Sequence, residues 1–448
     1  MKPSRYNVMF PAQDDGLVVF NTLTGAMAEF EAVETAGVRR MLDDADLSGL
    51  PAETLTELTR LGMVVPHSAD ELAVVRSRKA AGVADSNRLD VVVMPTLDCN
   101  FRCVYCYERH VRSSMSADVR DALITFLERE TPTRKGVMLH WYGGEPLLEL
   151  ETVLTVTRAA RRAAQEAGVP LSLHMTTNGY LLTEETAGRL VGAGLREYQI
   201  TIDGGRDSHD RLRPLRGGAA TFDTVFANTL AVLRVADDVQ VSVRVNFNAG
   251  SADAVPDLLD AFPADVRPRV RFVFEPIFGR EAVRARAGLE DAEIGGLLES
   301  WHRRAAELGF ASSVGGVHAG KLVYCYAERE HQVLVSYDGS VFKCPVGDFT
   351  AERPLGALRR DGVVEWNEGW ADWMGVPPFD AVCEDCVYAP LCMGGCRKER
   401  LRTGGRGDAC ALVPQNVSYV LKQLALRCDN GLGPLLGLTV ERGGGAAP

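Results

Sequence analysis

Eleven cysteines among 448 residues fall into two tight groups, and no other feature of this sequence restricts its fold as strongly. Three lie between Cys99 and Cys106, none follows for more than 200 positions, and the other eight lie between Cys325 and Cys428. The amino-terminal segment MKPSRYNVMFPAQDDGLVVF lacks an h-region with a small-residue cleavage site, and no apolar run approaches the roughly 18 residues of a membrane span. A cytoplasmic location without a membrane partner is therefore expected. In that reducing compartment, clustered cysteines serve as metal ligands or redox groups rather than disulfides. Any one of them alone could equally be a small buried hydrophobe, so spacing has to decide.

Composition narrows the field further. A chain that is 46% hydrophobic and 24% charged is neither disordered nor collagen-like, and its length allows roughly two to four domains of about 100–200 residues each. Forty-nine basic against 60 acidic residues give a net charge of −11, a poor electrostatic match to nucleic acid, so none is expected as a partner.

Three regions separate by pattern. In residues 1–88, YNVMF and GLVVFNTL read as strands, while AMAEFEAVETAGVRRML and PAETLTELTRLGMVV read as helices. This is a small α+β, winged-helix-like domain, closed by a polar stretch, RSRKAAGVADSNR, that reads as a linker. Residues 89–310 alternate strand-like runs (LDVVVMPTL, GVMLHWYGG, LSLHMTTN, EYQITIDG, VQVSVRVNFN, RVRFVFEPI) with amphipathic helices. Six such repeats predict an α/β region with a parallel sheet, either a partial (β/α)6 barrel or an open doubly wound sheet. Residues 311–448 open with a hairpin, QVLVSYDGSVFKC, turning at Asp338–Gly339, and continue as a loop-rich, cysteine-dense domain that needs metal to hold it together.

The first cysteine group, Cys99, Cys103 and Cys106, sits in LDCNFRCVYCYE, directly after the first strand of the alternating region. Loops at the carboxyl ends of parallel strands are where α/β folds place their sites. Three thiolates fall one short of the usual complement of a 4Fe–4S cluster and so leave one iron open. A zinc site completed by His110, or plain loop thiols, is the alternative. CxxxCxxC with an aromatic residue, Tyr105, before the last cysteine resembles the hallmark of the radical S-adenosylmethionine (SAM) superfamily. The resemblance implies that SAM chelates the open iron and is reductively cleaved to a 5′-deoxyadenosyl radical, with Tyr105 covering the cluster and its ligand. Further matches follow at strand ends. Gly143, Gly144, Glu145 and Pro146 resemble the family's GGEP motif, in which the glycines allow close backbone approach and the carboxylate accepts from the SAM ammonium. Asn178 and Gly179 end the third strand as either site or turn. Thr201 and Asp203, in TIDGGRDSHDRLRP, are implied SAM contacts, with Arg213 for its carboxylate (Arg211 competing) and Asp210 as a helix cap. Asn246 is implied at the ribose or as a strand cap.

The second group reads Cys325, Gly339-x4-Cys344, then Cys383-x2-Cys386-x5-Cys392-x3-Cys396, and Cys410. By itself the Cx2C could be a zinc knuckle. The complete series closely resembles the SPASM extension of radical SAM enzymes, which holds two auxiliary 4Fe–4S clusters, for three 4Fe–4S clusters in all. Residue by residue, the resemblance assigns Cys383, Cys386, Cys392 and Cys410 to one auxiliary cluster and Cys325, Cys344 and Cys396 to the other. That second set lacks a fourth cysteine; its iron is either open or completed by His331, Glu328 or Cys428, although Cys428 also reads as an ordinary thiol. Asp348, shortly after Cys344, is a candidate catalytic base or a plain loop acid.

The front domain resembles the peptide-recognition units of maturases of ribosomally made peptides, where a leader peptide adds as a strand to a sheet edge. A structural cap over the barrel is the plainer alternative. The whole is expected to be a radical SAM/SPASM peptide maturase that takes a hydrogen atom from a precursor peptide and installs an intramolecular thioether or carbon–carbon crosslink. Its expected partners are that peptide and a small electron-transfer protein, flavodoxin or ferredoxin. The rival readings are an anaerobic, formylglycine-forming sulfatase maturase and a non-enzymatic metal-binding regulator.

Overall fold

The computed structural model describes residues 1–11, 15–277, 288–311, 320, 322–405 and 440–442. Cys410 and Cys428 lie outside the described residues. The chain forms two compact units.

The smaller unit begins with β1 (Lys2–Pro3), followed by an antiparallel meander of β2 (Asn7–Pro11), β3 (Leu17–Asn21) and β4 (Met27–Phe30). Helices α1 (Thr35–Asp44) and α2 (Ala52–Arg60) follow; then β5 (Val64–Val65) pairs with β1, and α3 (Glu71–Val83) closes the region. Two sequence expectations are corrected here. AMAEF is not the start of a helix but strand β4. The Asn21 side chain accepts from the N–H groups of Leu23 (3.0 Å) and Thr24 (2.9 Å), and Gly25 takes φ +77°. This turn folds the chain straight back onto β3, overriding the helix preference of Ala, Met and Glu. Likewise, most of the expected linker is helix α3, capped by Asp70, whose side chain accepts from Ala73 N–H at 2.9 Å. Its buried face is Glu71, Val75, Lys79 and Gly82. Only one of these is a large apolar residue, so hydrophobic periodicity could not show it. Lys79 is buried because its Nζ meets Glu328 Oε1 at 2.5 Å.

The same unit contains the segment ending at Glu328 and the described residues from Gly375 onward. Tyr6, Leu23 and Val75 from the front region pack with Phe379, Ala389 and Met393 from the cysteine-rich region, and Cys383 and Cys386 lie against this core. Val440–Arg442 pairs in parallel with β4.

The larger unit carries six parallel strands in sequential order: β6 (Arg88–Met94), β7 (Gly136–Trp141), β8 (Leu171–Thr177), β9 (Glu197–Thr201), β10 (Gln240–Phe247) and β11 (Val270–Pro276). The connecting helices are α4 (Ala117–Glu130), α5 (Leu150–Ala167), α6 (Glu184–Ala193), α7 (Arg206–Leu212), α8 (Phe222–Val235) and α9 (Val255–Ala261). Ser116 and Thr183 cap the amino ends of α4 and α6, and Gly168 and Gly194 end α5 and α6 in left-handed conformations. One core joins the sheet to its helices: Val91, Val93, Leu139 and Val243 pack with Leu123, Val156 and Val232. This is the mixed α/β, parallel-sheet architecture that the alternation predicts.

The hairpin of the tail lies on this sheet. Its first strand, β12 (Gln332–Ser336), pairs in parallel with β6, and β13 (Ser340–Phe342), β14 (Gly356–Leu358) and β15 (Val364–Trp366) follow as antiparallel neighbours. Gly339 makes the turn at φ +85°. The outer edge of β6 would otherwise present unpaired backbone groups, and β12 satisfies them. Among the described residues, no helix is long and apolar enough to cross a membrane.

Candidate active site

The loop after β6 owes its shape to hydrogen bonds made by its own polar residues. Thr96 Oγ1 donates to the Ser113 carbonyl at 2.6 Å, Ser113 Oγ accepts from Leu97 N–H at 2.8 Å, and Asp98 accepts from Cys99 N–H at 2.8 Å. Residues 212–216 clamp the loop from the other side: Arg102 N–H and Val104 N–H donate to the Pro214 and Leu212 carbonyls, and Arg216 N–H donates to that of Asn100. Cys99, Cys103 and Cys106 thereby all line one cavity of about 270 Å³.

The two glycines after β7 do have a close neighbour, and it is this loop. A Cβ on Gly143, which sits at φ +119°, would stand 2.6 Å from the Thr96 carbonyl oxygen; one on Gly144 would stand 2.1 Å from that of Asp98. Gly144 and Glu145 donate their N–H groups to those same carbonyls. Only glycine lets the β7 turn hold the cysteine loop this tightly. Gly143 and Gly144 line the cavity, whereas Pro146 is buried in a 3₁₀ turn. The fully buried Glu145 carboxylate accepts from Leu147 N–H (3.0 Å), Thr177 Oγ1 (2.7 Å) and Asn178 N–H (2.7 Å), and so ties the β7 turn to the end of β8.

Across the cavity stands a second network. The Tyr105 phenol donates to Asp203 and accepts from Arg213 Nη1 (2.7 Å) and Asn246 Nδ2 (3.0 Å). Asp203 also accepts from Asn246 N–H at 2.8 Å. Its own N–H donates to His209 Nδ1 at 3.2 Å, while His209 Nε2 meets Thr221 Oγ1 at 3.1 Å, an arrangement that needs a neutral imidazole. Burial lowers the His209 pKa well below its usual value, in agreement. Burial raises the Asp203 pKa, with Arg213 and the hydrogen-bond donors opposing that rise. Arg213, Tyr105, Thr201 and Asn246 reach the cavity lining. Asp210 caps α8 by accepting from Thr221 and Phe222 N–H, and Arg211 donates to the Gly250 carbonyl. Asn178 also lines the cavity, its Nδ2 donating to Asn100 Oδ1 at 2.7 Å with Cys99 Sγ at 3.8 Å.

Other lining residues escape the motif reading. Tyr107 and Tyr142 share a 2.6 Å hydrogen bond between their hydroxyls, and burial pushes the Glu108 carboxyl up to about 8. Thr176, Gln199 and Arg244 also face the cavity. Behind Thr176 stands His140, its Nε2 at 2.9 Å from Thr176 Oγ1, and His174 Nδ1 is 3.2 Å from Glu197. These residues recur at alternate positions of β7–β10: His140 and Tyr142, His174 and Thr176, Glu197 and Gln199, Arg244 and Asn246. Polar side chains with period two in strands that ought to be wholly apolar are the signal that could have found them.

The remaining expected residues lie elsewhere. Asp348 forms an ion pair with Arg109 at 3.0 Å and accepts from Thr350 Oγ1 and N–H. Cys344 belongs to the larger unit and accepts from Val346 N–H at 3.4 Å. In the smaller unit, Glu328 Oε2 accepts from Tyr324 N–H (2.8 Å) and Cys325 N–H (3.2 Å), while Oε1 is engaged by Lys79. Glu328 thus shapes the Cys325 loop. His331 is half-buried, and burial and Arg134 lower its pKa. Cys386 N–H donates to the Cys383 carbonyl, and the turn between Cys392 and Cys396 runs through positive φ at Met393, Gly394 and Gly395.

The first cysteine trio fits an iron–sulfur cluster. A mononuclear site needs donors that converge on one point. A tetranuclear cluster instead takes one thiolate per iron, which suits three thiols facing a shared cavity. Burial raises the pKa of Cys99 and Cys103, so metal binding there must displace protons.

Residues 93–243 match the radical SAM superfamily. The chain therefore carries a radical SAM domain and is an enzyme of that class. Among curated relatives, the Fe-coproporphyrin III synthase of Methanosarcina barkeri is 22% identical over 72% of this chain and 79% of its own length. The PqqA peptide cyclase of Rhodopseudomonas palustris is 23% identical over 75% of this chain and 90% of its own length. Among solved structures, native anSMEcpe with bound AdoMet and the Cp18Cys peptide superposes with a TM-score of 0.59 at 18% identity, covering 78% of this chain and 99% of that one. Streptococcus suis SuiB gives 0.54 at 14% identity, covering 92% of this chain and all of SuiB.

Proposed function

We propose that this enzyme is a radical SAM/SPASM peptide maturase: it removes a hydrogen atom from a ribosomally made precursor peptide and installs an intramolecular thioether or carbon–carbon crosslink. The observation that carries the reading is the opening of all three thiols of one β6 loop into the cavity that Thr201, Arg213 and Asn246 also line. Cys99, Cys103 and Cys106 would hold the SAM-cleaving 4Fe–4S cluster, and the cysteines from Cys325 to Cys410 would hold two auxiliary ones. When bound, cluster and SAM together supply a carbon radical strong enough to take hydrogen from an unactivated carbon.

The chain's own residues position and shield. The Gly143–Gly144 turn fixes the cysteine loop, and Glu145 fixes the turn. Arg213 and Asn246, anchored on the Tyr105 phenol, present a cation and an amide to the cavity for the carboxylate and ribose of SAM. Asp203 keeps Arg213 and Asn246 in place from behind rather than reaching the ligand itself. The tyrosine pair Tyr107–Tyr142 and the buried loop residues exclude water from the reacting carbon.

Peptide substrates are supported by two similarities: one neighbour holds a Cys-containing peptide, and SuiB has been solved with its precursor peptide SuiA at a TM-score of 0.51. SuiB coverage of 92% leaves fewer residues unmatched than the front region contains, so the likeness extends into that region. It favours a maturase with a leader-binding front domain over a formylglycine-forming enzyme. A flavodoxin or ferredoxin as electron donor and a cytoplasmic site of action belong to this reading.

The test is anaerobic reconstitution with iron and sulfide. Three clusters require about twelve iron atoms per chain, and reduction in the presence of SAM should release 5′-deoxyadenosine. A colourless protein that binds zinc instead, or one that still holds about twelve iron atoms and keeps its turnover after Cys99, Cys103 and Cys106 all become alanine, would end the proposal.

A further inference from the structure

Arg400 is a buried cation that the hydrogen-abstraction site does not use. It lies in the helix Arg397–Thr403 of the smaller unit and is 5% exposed. Its Nη2 donates to Cys383 Sγ at 2.9 Å, and its Nε donates to the Gly394 carbonyl at 2.6 Å. Nη1 lies 3.6 Å from Asp380 Oδ2, and the other Asp380 oxygen accepts from Cys383 N–H at 3.0 Å. One guanidinium and the carboxylate beside it therefore grip Cys383 by side chain and by backbone.

A thiol sulfur is a weak acceptor, whereas a thiolate is a full anion, so a guanidinium donor at this distance is matched to the thiolate. The Asp380 side chain is 34% exposed, so solvent weakens its opposing charge, while the Arg400 side chain, 4% exposed, keeps its own field. Cys99 is served differently. Its sulfur accepts from two neutral groups, the Phe101 N–H at 3.4 Å and the Asn178 amide at 3.8 Å. Hydrogen bonds to cluster sulfurs and local charge are among the levers that set iron–sulfur reduction potentials.

We propose that Arg400 raises the reduction potential of the auxiliary cluster ligated by Cys383 and so makes that cluster the electron-accepting one. Reduction adds negative charge to the cluster, and a buried cation bonded to one of its sulfurs stabilises the reduced form. Arg400 is a positioning and tuning residue, not a catalytic one. The proposal rests on the assignment of Cys383 as a cluster ligand.

The experiment uses the full chain with Cys99, Cys103 and Cys106 replaced by alanine, so that only auxiliary clusters contribute. Iron content and an EPR-monitored redox titration are compared for Arg400, Arg400→Lys and Arg400→Gln. Arg400→Gln should keep its iron but favour the oxidised form at least tenfold more, a fall of about 59 mV for one electron. Arg400→Lys, which restores the charge, should recover most of that loss. An unchanged midpoint in Arg400→Gln with full iron content would overturn the proposal. So would iron loss in both Arg400→Gln and Arg400→Lys, since the residue would then be scaffold. Absence of iron from the Arg400 parent itself would sink the ligand assignment beneath it, a result recognisably different from either.

Discussion

Single residues in this α/β unit do work that their neighbours in sequence do not announce. His140 is the clearest case. It stands inside the sheet at 2.9 Å from Thr176 Oγ1, and burial, reinforced by the nearby His174, lowers its pKa to about 4. The unfolded chain would protonate the same imidazole at about 6.5. Between those two values the unfolded state binds more protons than the native one, so stability is complete above pH 6.5 and declines as the pH falls towards 4. At pH 5 the loss attributable to this residue is at most about 2 kcal/mol, from about 1.36 kcal/mol per pH unit. His140→Gln, which can still meet Thr176, should therefore flatten the acid limb of a melting-temperature profile between pH 7 and pH 5. A parallel downward offset of the whole profile would mean that His140 contributes packing and no proton linkage. Glu145 teaches the complementary lesson. GGEP was legible as a motif, but whether its carboxylate meets a ligand or the protein depends on Thr177 and Asn178, which arrive from another strand.

At the scale of elements, the six parallel strands and the helices α4, α5 and α8 were readable because their periodicity and caps agree. Ser116 starts a helix and Gly168 stops one where apolar patterning also does. What stayed hidden was structure whose buried face is polar. Helix α3 buries Lys79 in place of a hydrophobe, and the residue that makes this possible, Glu328, is remote in sequence. Arg397 stands 3.9 Å from the same carboxylate, which makes a buried triad. Truncating one member of a buried ion pair leaves the other charged and unsolvated, typically costing about 3–5 kcal/mol. Glu328→Gln should accordingly lower the melting temperature of the full chain by several degrees. Lys79→Met combined with Glu328→Gln should lower it by less than the two single changes added together. Simple additivity of the three melting shifts would show that Lys79 and Glu328 do not act as a pair. Because Glu328 also orders the Tyr324 and Cys325 N–H groups, Glu328→Gln should additionally loosen that loop, visible as faster amide exchange at Cys325 than in Lys79→Met.

For the molecule as a whole, the sequence suggested three consecutive domains, and that order suggests a simple dissection: remove the front domain and keep the chemistry. The packing argues for a different outcome. The core that Cys383 and Cys386 lie against is built jointly by Tyr6, Leu23 and Val75 from the front region and by Phe379, Ala389 and Met393 from the cysteine-rich region. Thr22 Oγ1 donates to the Val387 carbonyl at 2.6 Å, and Arg5 donates to that of Glu384 at 2.8 Å, so the Cys383–Cys392 loop is fastened to the front strands by backbone as well. These contacts are long-range in sequence, and no local pattern could reveal them. Deleting residues 1–84 should therefore strip the scaffold of the auxiliary ligands together with the leader-binding surface. After reconstitution, the truncated chain should retain about four iron atoms where the intact one holds about twelve, by tetranuclear stoichiometry. It should still cleave SAM, because the cysteine loop after β6 takes its supports from β7, β8 and residues 212–216. A truncated protein that keeps its full iron content while losing only peptide modification would show that the front region is an independent recognition module after all.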